Sequence, residues 1–311
     1  MEDIGIQCIS CDSESVYCVG KIPDTNEFAG RILPNLLKGG FLYHCRTCYL
    51  SFRYPQLSKK ELNKQYQSVS KETRKRIPGS RRDWNLARQW INDQFGTGSK
   101  VLDVGCFDGD FLYELGDDYD RFGIEINQFA AKRAGERGVN IIGRDFDTLL
   151  NLNYQFDVIV AFNVVEHVAD PKIFLKSLAN IVRPGGMVIV STGNTHALSW
   201  RFMGSQYWYC TIAEHISFIN PVWCEHAVPE CFLVVKRMVK YSHVENLNLG
   251  LGYKMKELSS NLLYRSMPWF AAWLRSMGAG KRDVCQHPEL KHFPPIWMSA
   301  KDHFIIELRK L

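Results

Sequence analysis

From residue 100 to residue 192 the chain alternates short apolar runs with amphipathic segments, and no other feature restricts its fold as tightly. The runs at 100–104, 121–125 (RFGIE), 139–143 (VNIIG), 156–162 (FDVIVAF) and 187–192 (MVIVST) are strand-length. Between them, 109–116, 127–137 and 171–182 carry apolar residues at helical spacing. Short apolar strands separated by helices form a parallel sheet buried on both faces. Right-handed crossovers then give an α/β fold with a doubly wound, mostly parallel sheet.

The first of these strands runs into a glycine turn, VLDVGCFDGDFL over Val101–Leu112. A strand, a tight turn at Gly105–Gly109 and a helix start bring backbone N–H groups against a nucleotide-like ligand. Glu125 ends the second strand, 22 residues after Asp103. A carboxylate there accepts from both hydroxyls of a ribose, with Ile126 beside it. Asp145-Phe146 follows the third strand, where an acid can accept from an adenine amino group while an aromatic covers the ring. The G-x-G-x-x-G pattern of nicotinamide enzymes is absent.

FDVIVAFNVVEHVADP and FLKSLANIVRPGGMVIVSTGN complete the pattern. With them, residues 84–241 resemble the class I S-adenosylmethionine-dependent methyltransferases, which have a Rossmann-like sheet. Asp103-x-Gly105-x-x-x-Gly109 looks like that family's first motif, with Phe107 in place of the usual central glycine. The resemblance implies that Gly105, Cys106 and Gly109 bind the cofactor, with Phe107 packing beside its methionine half. It also implies that Glu125 holds the ribose, that Asp145 and Phe146 hold the adenine, and that Asn163 contacts the methionine end. Glu166-His167 and Arg183-Pro-Gly-Gly186 match the signature around the fourth and fifth strands. In ubiquinone-pathway O-methyltransferases a further Glu, three residues before the Glu-His pair, helps bind a metal. Asn163 stands there in this chain, which counts against a catalytic metal.

Methyl transfer to a hydroxyl needs a base near the C-terminal strand ends. His215 and His167 are the candidates, with His196 third. Glu214 is expected to orient His215 and raise its pKa.

Before the sheet stand two C-x-x-C pairs, Cys8/Cys11 and Cys45/Cys48. Two such knuckles make a closed tetrahedral thiolate site for a structural Zn2+, with Cys18 and His44 as nearby substitutes. The ribbon, Phe52-Arg-Tyr-Pro55 after it, Glu214-His215-Ile216 and Ser299-Ala-Lys-Asp302-His303 together resemble a bacterial methyltransferase subgroup. Its members act on sugars, glycolipids or natural products.

The domain reading is a zinc ribbon at 1–57, a helical linker at 58–97 and the core at 98–311. The core carries an aromatic cap at 193–220 and a helical insertion at 250–298. Ser58–Glu61 has the spacing of a capping box and predicts a helix to about Tyr66. Residues 71–82 are basic, and residues 255–277 read as one amphipathic helix. That helix packs on the core or, alternatively, meets a membrane surface or a lipid acceptor.

With 46% hydrophobic and 23% charged residues and a formal charge of +5, the composition is that of a globular chain and does not demand nucleic acid. Neither a spanning segment nor a signal peptide is read, so the expected location is cytoplasmic. The expected function is methyl transfer from S-adenosyl-L-methionine to a small molecule, sugar or glycolipid, at a hydroxyl. The alternatives are a zinc-ribbon RNA methyltransferase and a cofactor-binding scaffold without turnover.

Overall fold

Each Cys-x-x-Cys pair closes a local turn. In the computed structural model, which describes residues 5–56, 62, 81–244, 250–278 and 286–310, Asp12 N donates to Cys8 O at 2.9 Å and Tyr49 N to Cys45 O at 3.0 Å. The residue after each second cysteine takes a positive φ, 56° at Asp12 and 64° at Tyr49. The two knuckles therefore share one geometry. Between them run β1 (Val16–Lys21), the hairpin of β2 (Thr25–Phe28) and β3 (Arg31–Leu37), and β4 (Phe41–Cys45); β5 (Ser51–Tyr54) follows the second knuckle. The helix expected from Ser58 lies outside the described residues apart from Leu62, and so does the basic stretch 71–80.

The chain is described again from Arg81. Helix α1 (Arg82–Asn92) turns Asp83, Ala87, Trp90 and Ile91 inward, as its helical spacing requires. Then come β6 (Lys100–Val104), α2 (Asp110–Leu115), β7 (Asp120–Ile124), α3 (Gln128–Glu136), β8 (Asn140–Gly143), β9 (Phe156–Phe162), α4 (Pro171–Ile181) and β10 (Val182–Gly193). The helix starts are locally encoded. Asn127 Oδ1 accepts from Phe129 N and Ala130 N, and Asp170 caps α4 with Pro171 at the first helical position. The fifth core strand begins at Val182, earlier than the expected 187. Its first residues bulge, because register with β9 shifts between Val182 and Met187. Pro184 there has no N–H for the ladder.

The cap holds α5 (Leu198–Met203) and a short strand, β11 (Ser217–Phe218), and α6 (Pro221–Ala227) follows. Next come β12 (Leu233–Tyr241), α7 (Leu251–Ser266), α8 (Pro268–Ser276) and β13 (His303–Lys310). The main sheet has the order β12-β13-β10-β9-β6-β7-β8. Neighbours from β10 to β8 are parallel, and β13 runs antiparallel to both β10 and β12. This is the expected doubly wound, mostly parallel sheet.

Two departures have clear causes. The single helix expected over 255–277 is two helices, because Pro268 bars its predecessor from helical backbone and Met267 sits at φ −136°, ψ 65°. The cap is also more than a loop over the strand ends. β11 pairs with β5, so ribbon and cap share a four-stranded sheet of order β1-β4-β5-β11. One apolar core joins the ribbon to the α4 and α6 side of the main sheet, placing Cys8, Cys45, Leu50 and Phe52 in a cluster with Leu175 and Trp223.

Candidate functional site

The glycine turn is built from its backbone outward. Gly105 N and Cys106 N both donate to Ile124 O, tying the end of β6 to β7. Gly105 has φ +79°, and a Cβ there would meet Val164 Cγ2 at 2.8 Å. Gly109, at φ +74°, begins α2 against Val139 and Ala134. Phe107 takes φ 47°, so a phenylalanine stands in a left-handed backbone that favours glycine. Glu125 holds this turn in place. Its Oε2 accepts from Phe107 N and its Oε1 from Asn127 N, each at 2.8 Å. A carboxylate oxygen can accept two hydrogen bonds, so the group that fixes the turn can also take a vicinal diol.

Asp103 is buried at the strand end. Burial raises its carboxyl to about 8, with Arg81 pulling it down and Glu125 pushing it up. The Cys106 thiol packs over Gly123, where a Cβ would lie 2.5 Å from its sulfur, so its side chain belongs to the core. Ile126 is half-buried. Asp145 is exposed and accepts from Thr148 N and Oγ1. The Phe146 ring lies 5.7 Å from Phe174, edge-on. Asn163 sits at φ 54° with its N–H on Ser191 O, and its buried Oδ1 has no partner among the described residues.

A second cluster lies beyond the ends of β9 and β10. Glu166 is fully buried and accepts from Thr192 Oγ1 at 2.8 Å and from Tyr209 Oη. His167 Nδ1 is 3.1 Å from Glu214 O, and His215 Nδ1 is 3.0 Å from Tyr209 O. A carbonyl partner accepts, so Nδ1 is the nitrogen that carries the hydrogen in each of these contacts. The two rings meet edge-on at 4.8 Å. One ligand atom from each of Glu166, His167 and His215 falls within a 4.8 Å group.

Glu214 does not orient His215. Its Oε1 accepts from Ala29 N in the ribbon, and burial followed by the nearby His167 pushes the His215 pKa well below its usual value. His196 is exposed, away from this cluster's buried core.

The sequence pattern did not single out several residues that close the site. Buried Asp83 takes Arg81 Nη2 at 2.6 Å and Ser191 Oγ at 2.9 Å. Burial opposes its charge, but Arg81 outweighs it and holds the carboxyl below its usual range. His303 is buried against Tyr209 and His243, and neither ring nitrogen has a hydrogen-bond partner among the described residues. Asp302 Oδ2 lies 3.1 Å from His303 Nδ1. Asp302-His303 was visible only as a terminal pattern. Tyr209 was one aromatic among many.

In the ribbon, Cys8 Sγ and Cys48 Sγ are 3.5 Å apart, Cys11 Sγ and Cys45 Sγ are 3.6 Å apart, and all four lie within a 4.8 Å group. Those separations are too long for disulfides and close to the ~3.8 Å edge of a zinc tetrathiolate. Thr47 N and Cys48 N both point at Cys45 Sγ. The expected substitutes are not part of the cluster: His44 Nδ1 bonds Ser51 Oγ and Cys18 is exposed.

Residues 74–227 match the family model for a methyltransferase domain. The ubiquinone biosynthesis O-methyltransferase of Acinetobacter baumannii (strain ACICU) is 29% identical over 171 residues, which is 49% of this chain and 72% of that protein. Its counterpart from Erwinia tasmaniensis is 34% identical over 145 residues, 42% of this chain and 57% of that protein. Among solved structures, the N-methyltransferase NodS from Bradyrhizobium japonicum WM9, in complex with S-adenosyl-L-homocysteine, is similar at a TM-score of 0.46 and 14% identity. That match covers 80% of this chain and 96% of NodS. With a family match across the turn, the Glu125 strand and the Glu166-His167 turn, residues 74–227 are a class I S-adenosylmethionine-dependent methyltransferase domain.

Proposed function

We propose that the chain methylates a hydroxyl of a small molecule, a sugar or a glycolipid, with S-adenosylmethionine held over the Gly105–Gly109 turn. The Glu125 carboxylate carries the reading, since it locks the turn by two backbone N–H groups and retains the capacity to accept a ribose diol. The donor set fits the rest of the cofactor. The unpartnered Asn163 Oδ1 suits an ammonium, Asp103 suits nearby positive charge, and Asp145 with Phe146 suits the adenine. The backbone of Gly105, Cys106, Phe107 and Gly109 lines the turn, with Ile126 covering the ribose side.

Bound there, the cofactor supplies a methyl group on a sulfonium. The chain's own task is to align the acceptor and remove its proton. His215 and His167 are the proposed bases. Nδ1 of each is occupied by a carbonyl, so Nε2 carries the lone pair. The depressed pKa of His215 keeps that ring neutral but also weakens it as a base. The relatives are O-methyltransferases, which supports oxygen as the acceptor atom. In the ribbon, Cys8, Cys11, Cys45 and Cys48 suit a structural zinc with no open position.

A thermal-shift titration tests the cofactor assignment. S-adenosylmethionine at about 100 times its Kd should add about 2.7 kcal/mol of stability. Asp103→Ala and Glu125→Ala should each abolish the shift. A wild-type chain that shows no shift at saturating cofactor would sink the reading.

A further inference from the structure

The α7–α8 hairpin, inserted between β12 and β13, keeps polar anchors on its body-facing side, beside Tyr264, Ala271 and Ala272. Glu257 Oε1 accepts from Met298 N, Asn261 Nδ2 donates to Ile296 O, and Tyr264 Oη donates to His292 O, and all three residues are buried. Its outward side is apolar. Leu251 (75% exposed), Met255 and Leu262 share one face of α7, and Trp269 (70%) and Trp273 (50%) on α8 continue at the same spacing to Met277 (68%) just past its end. Surface helices of globular proteins turn such apolar residues inward.

The charge is as one-sided as the apolar face. Between Gly250 and Gly278 stand Lys254, Lys256, Arg265 and Arg275, and the only acid is the buried Glu257. The Arg265 guanidinium lies 5.8 Å from the Phe202 ring, and Phe202 contacts Trp297 edge-on at 6.1 Å. The apolar surface therefore continues onto the cap. Tyr207 Oη and Trp208 Nε1 in that cap both donate to Trp297 O.

We infer that this hairpin docks on an anionic lipid surface. Tryptophan, methionine and leucine on one face enter the headgroup boundary, and the flanking lysines and arginines meet the lipid charge. A protein partner or a second copy would also cover apolar area, but neither calls for a hairpin with no exposed acid of its own, the exposed Glu289 lying on the adjoining segment. The inference rests on α7 and α8 alone and stands whatever acceptor the methyl-transfer site takes.

The test is flotation of the full chain with phosphatidylcholine vesicles, with and without phosphatidylglycerol. The chain should float only with the anionic vesicles, and raised salt should release it. Trp269→Ser/Trp273→Ser and, separately, Lys254→Glu/Lys256→Glu should each weaken binding by at least about tenfold. Both variants should keep the wild-type Tm and the cofactor-induced shift, which separates lost docking from lost folding. Failure to float with anionic vesicles overturns the inference, as does unchanged flotation of the tryptophan variant. So does a concentration-dependent dimer of the lipid-free chain that the tryptophan variant dissolves.

Discussion

The two halves of the site are built over very different distances along the chain. On the glycine-turn side, Glu125 reaches Phe107 across 18 residues, and every part from Asp103 to Phe146 belongs to one βαβαβ run. On the histidine side, Tyr209 reaches Glu166 across 43 residues and Ser191 reaches Asp83 across 108. Arg53 and Ala29 in the ribbon reach His215 and Glu214 across 162 and 185. The first half uses backbone N–H groups and carboxylates, parts that serve any bearer of the same ligand. The second is packed from buried rings of distant segments, which is where selectivity for an acceptor can be written without disturbing the turn.

Removing a metal from the proposed Cys8/Cys11/Cys45/Cys48 site should break this contrast most severely. Structural zinc sites contribute ~10 kcal/mol or more of folding free energy. β11 and Arg53 tie the cap to the ribbon, and the Arg53 guanidinium donates to the carbonyls of Gly39, Cys210, Ile212 and His215. A strong chelator, or Cys45→Ser, should therefore abolish methyl transfer and lower the Tm sharply. Cofactor affinity, measured by calorimetry below the new Tm, should fall much less. Metal analysis showing no zinc in the purified chain, or a Tm indifferent to chelation, would rule out a structural metal in the ribbon.

The histidines come next in size. Loss of a positioned general base costs about 10²–10⁴-fold in rate. His215→Ala and His167→Ala, assayed separately, should identify the base by a drop of that order in kcat with unchanged cofactor affinity. If both keep wild-type turnover, the base lies elsewhere, and His303→Gln is then the next variant to assay. Burial also gives a sign to the pH dependence. The folded chain keeps His215 neutral and holds His243 down to about 3, while the unfolded chain takes up protons below about 6.5. The unfolded state then binds more protons, so stability should fall as pH drops below about 6.5.

What could be read in the sequence follows the same division. Strand positions, the glycine turn, Glu125 and the knuckle cysteines are local patterns, and the fold carries them in the expected elements, apart from the early start of β10 at Val182. The histidine cluster depends on which distant segments meet. The sequence singles out His215, but adjacency suggests a Glu214–His215 contact that the fold does not make, since the Glu214 carboxylate accepts from Ala29 N. β11 is two residues long, too short to show a period. The split of the long helix was marked by Pro268, and the apolar pattern on either side concealed it.

Asp103 gives a milder test on the turn side. Its folded carboxyl titrates near 8, against about 3.9 in an unfolded chain. Between those values the folded state holds the extra proton, so this group's contribution to stability declines as pH rises from about 4 to 8. Asp103→Asn should flatten that decline. A cationic ligand favours the carboxylate, so cofactor binding should release a proton and tighten as pH rises toward about 8, with Arg81 and Glu125 as the neighbouring charges. Proton release can be read by calorimetry in two buffers of different ionisation enthalpy. Affinity independent of pH from 6 to 8 would separate Asp103 from the ligand.

The smallest effect sharpens the contrast at its finest point. Phe107 occupies a left-handed backbone at φ 47°, at a cost of about 1–2 kcal/mol for a non-glycine residue. Phe107→Gly removes that cost and returns part of the gain as unfolded-chain entropy, so the cofactor-free protein should become more stable by up to about 1 kcal/mol. If the ring packs beside the cofactor, the same variant should bind S-adenosylmethionine several-fold more weakly. The two readouts then move in opposite directions, and pure core packing cannot produce that pattern. A ring that only fills the core would lower the cofactor-free Tm and leave affinity unchanged. The turn side would then owe its ligand contacts to backbone and carboxylates alone.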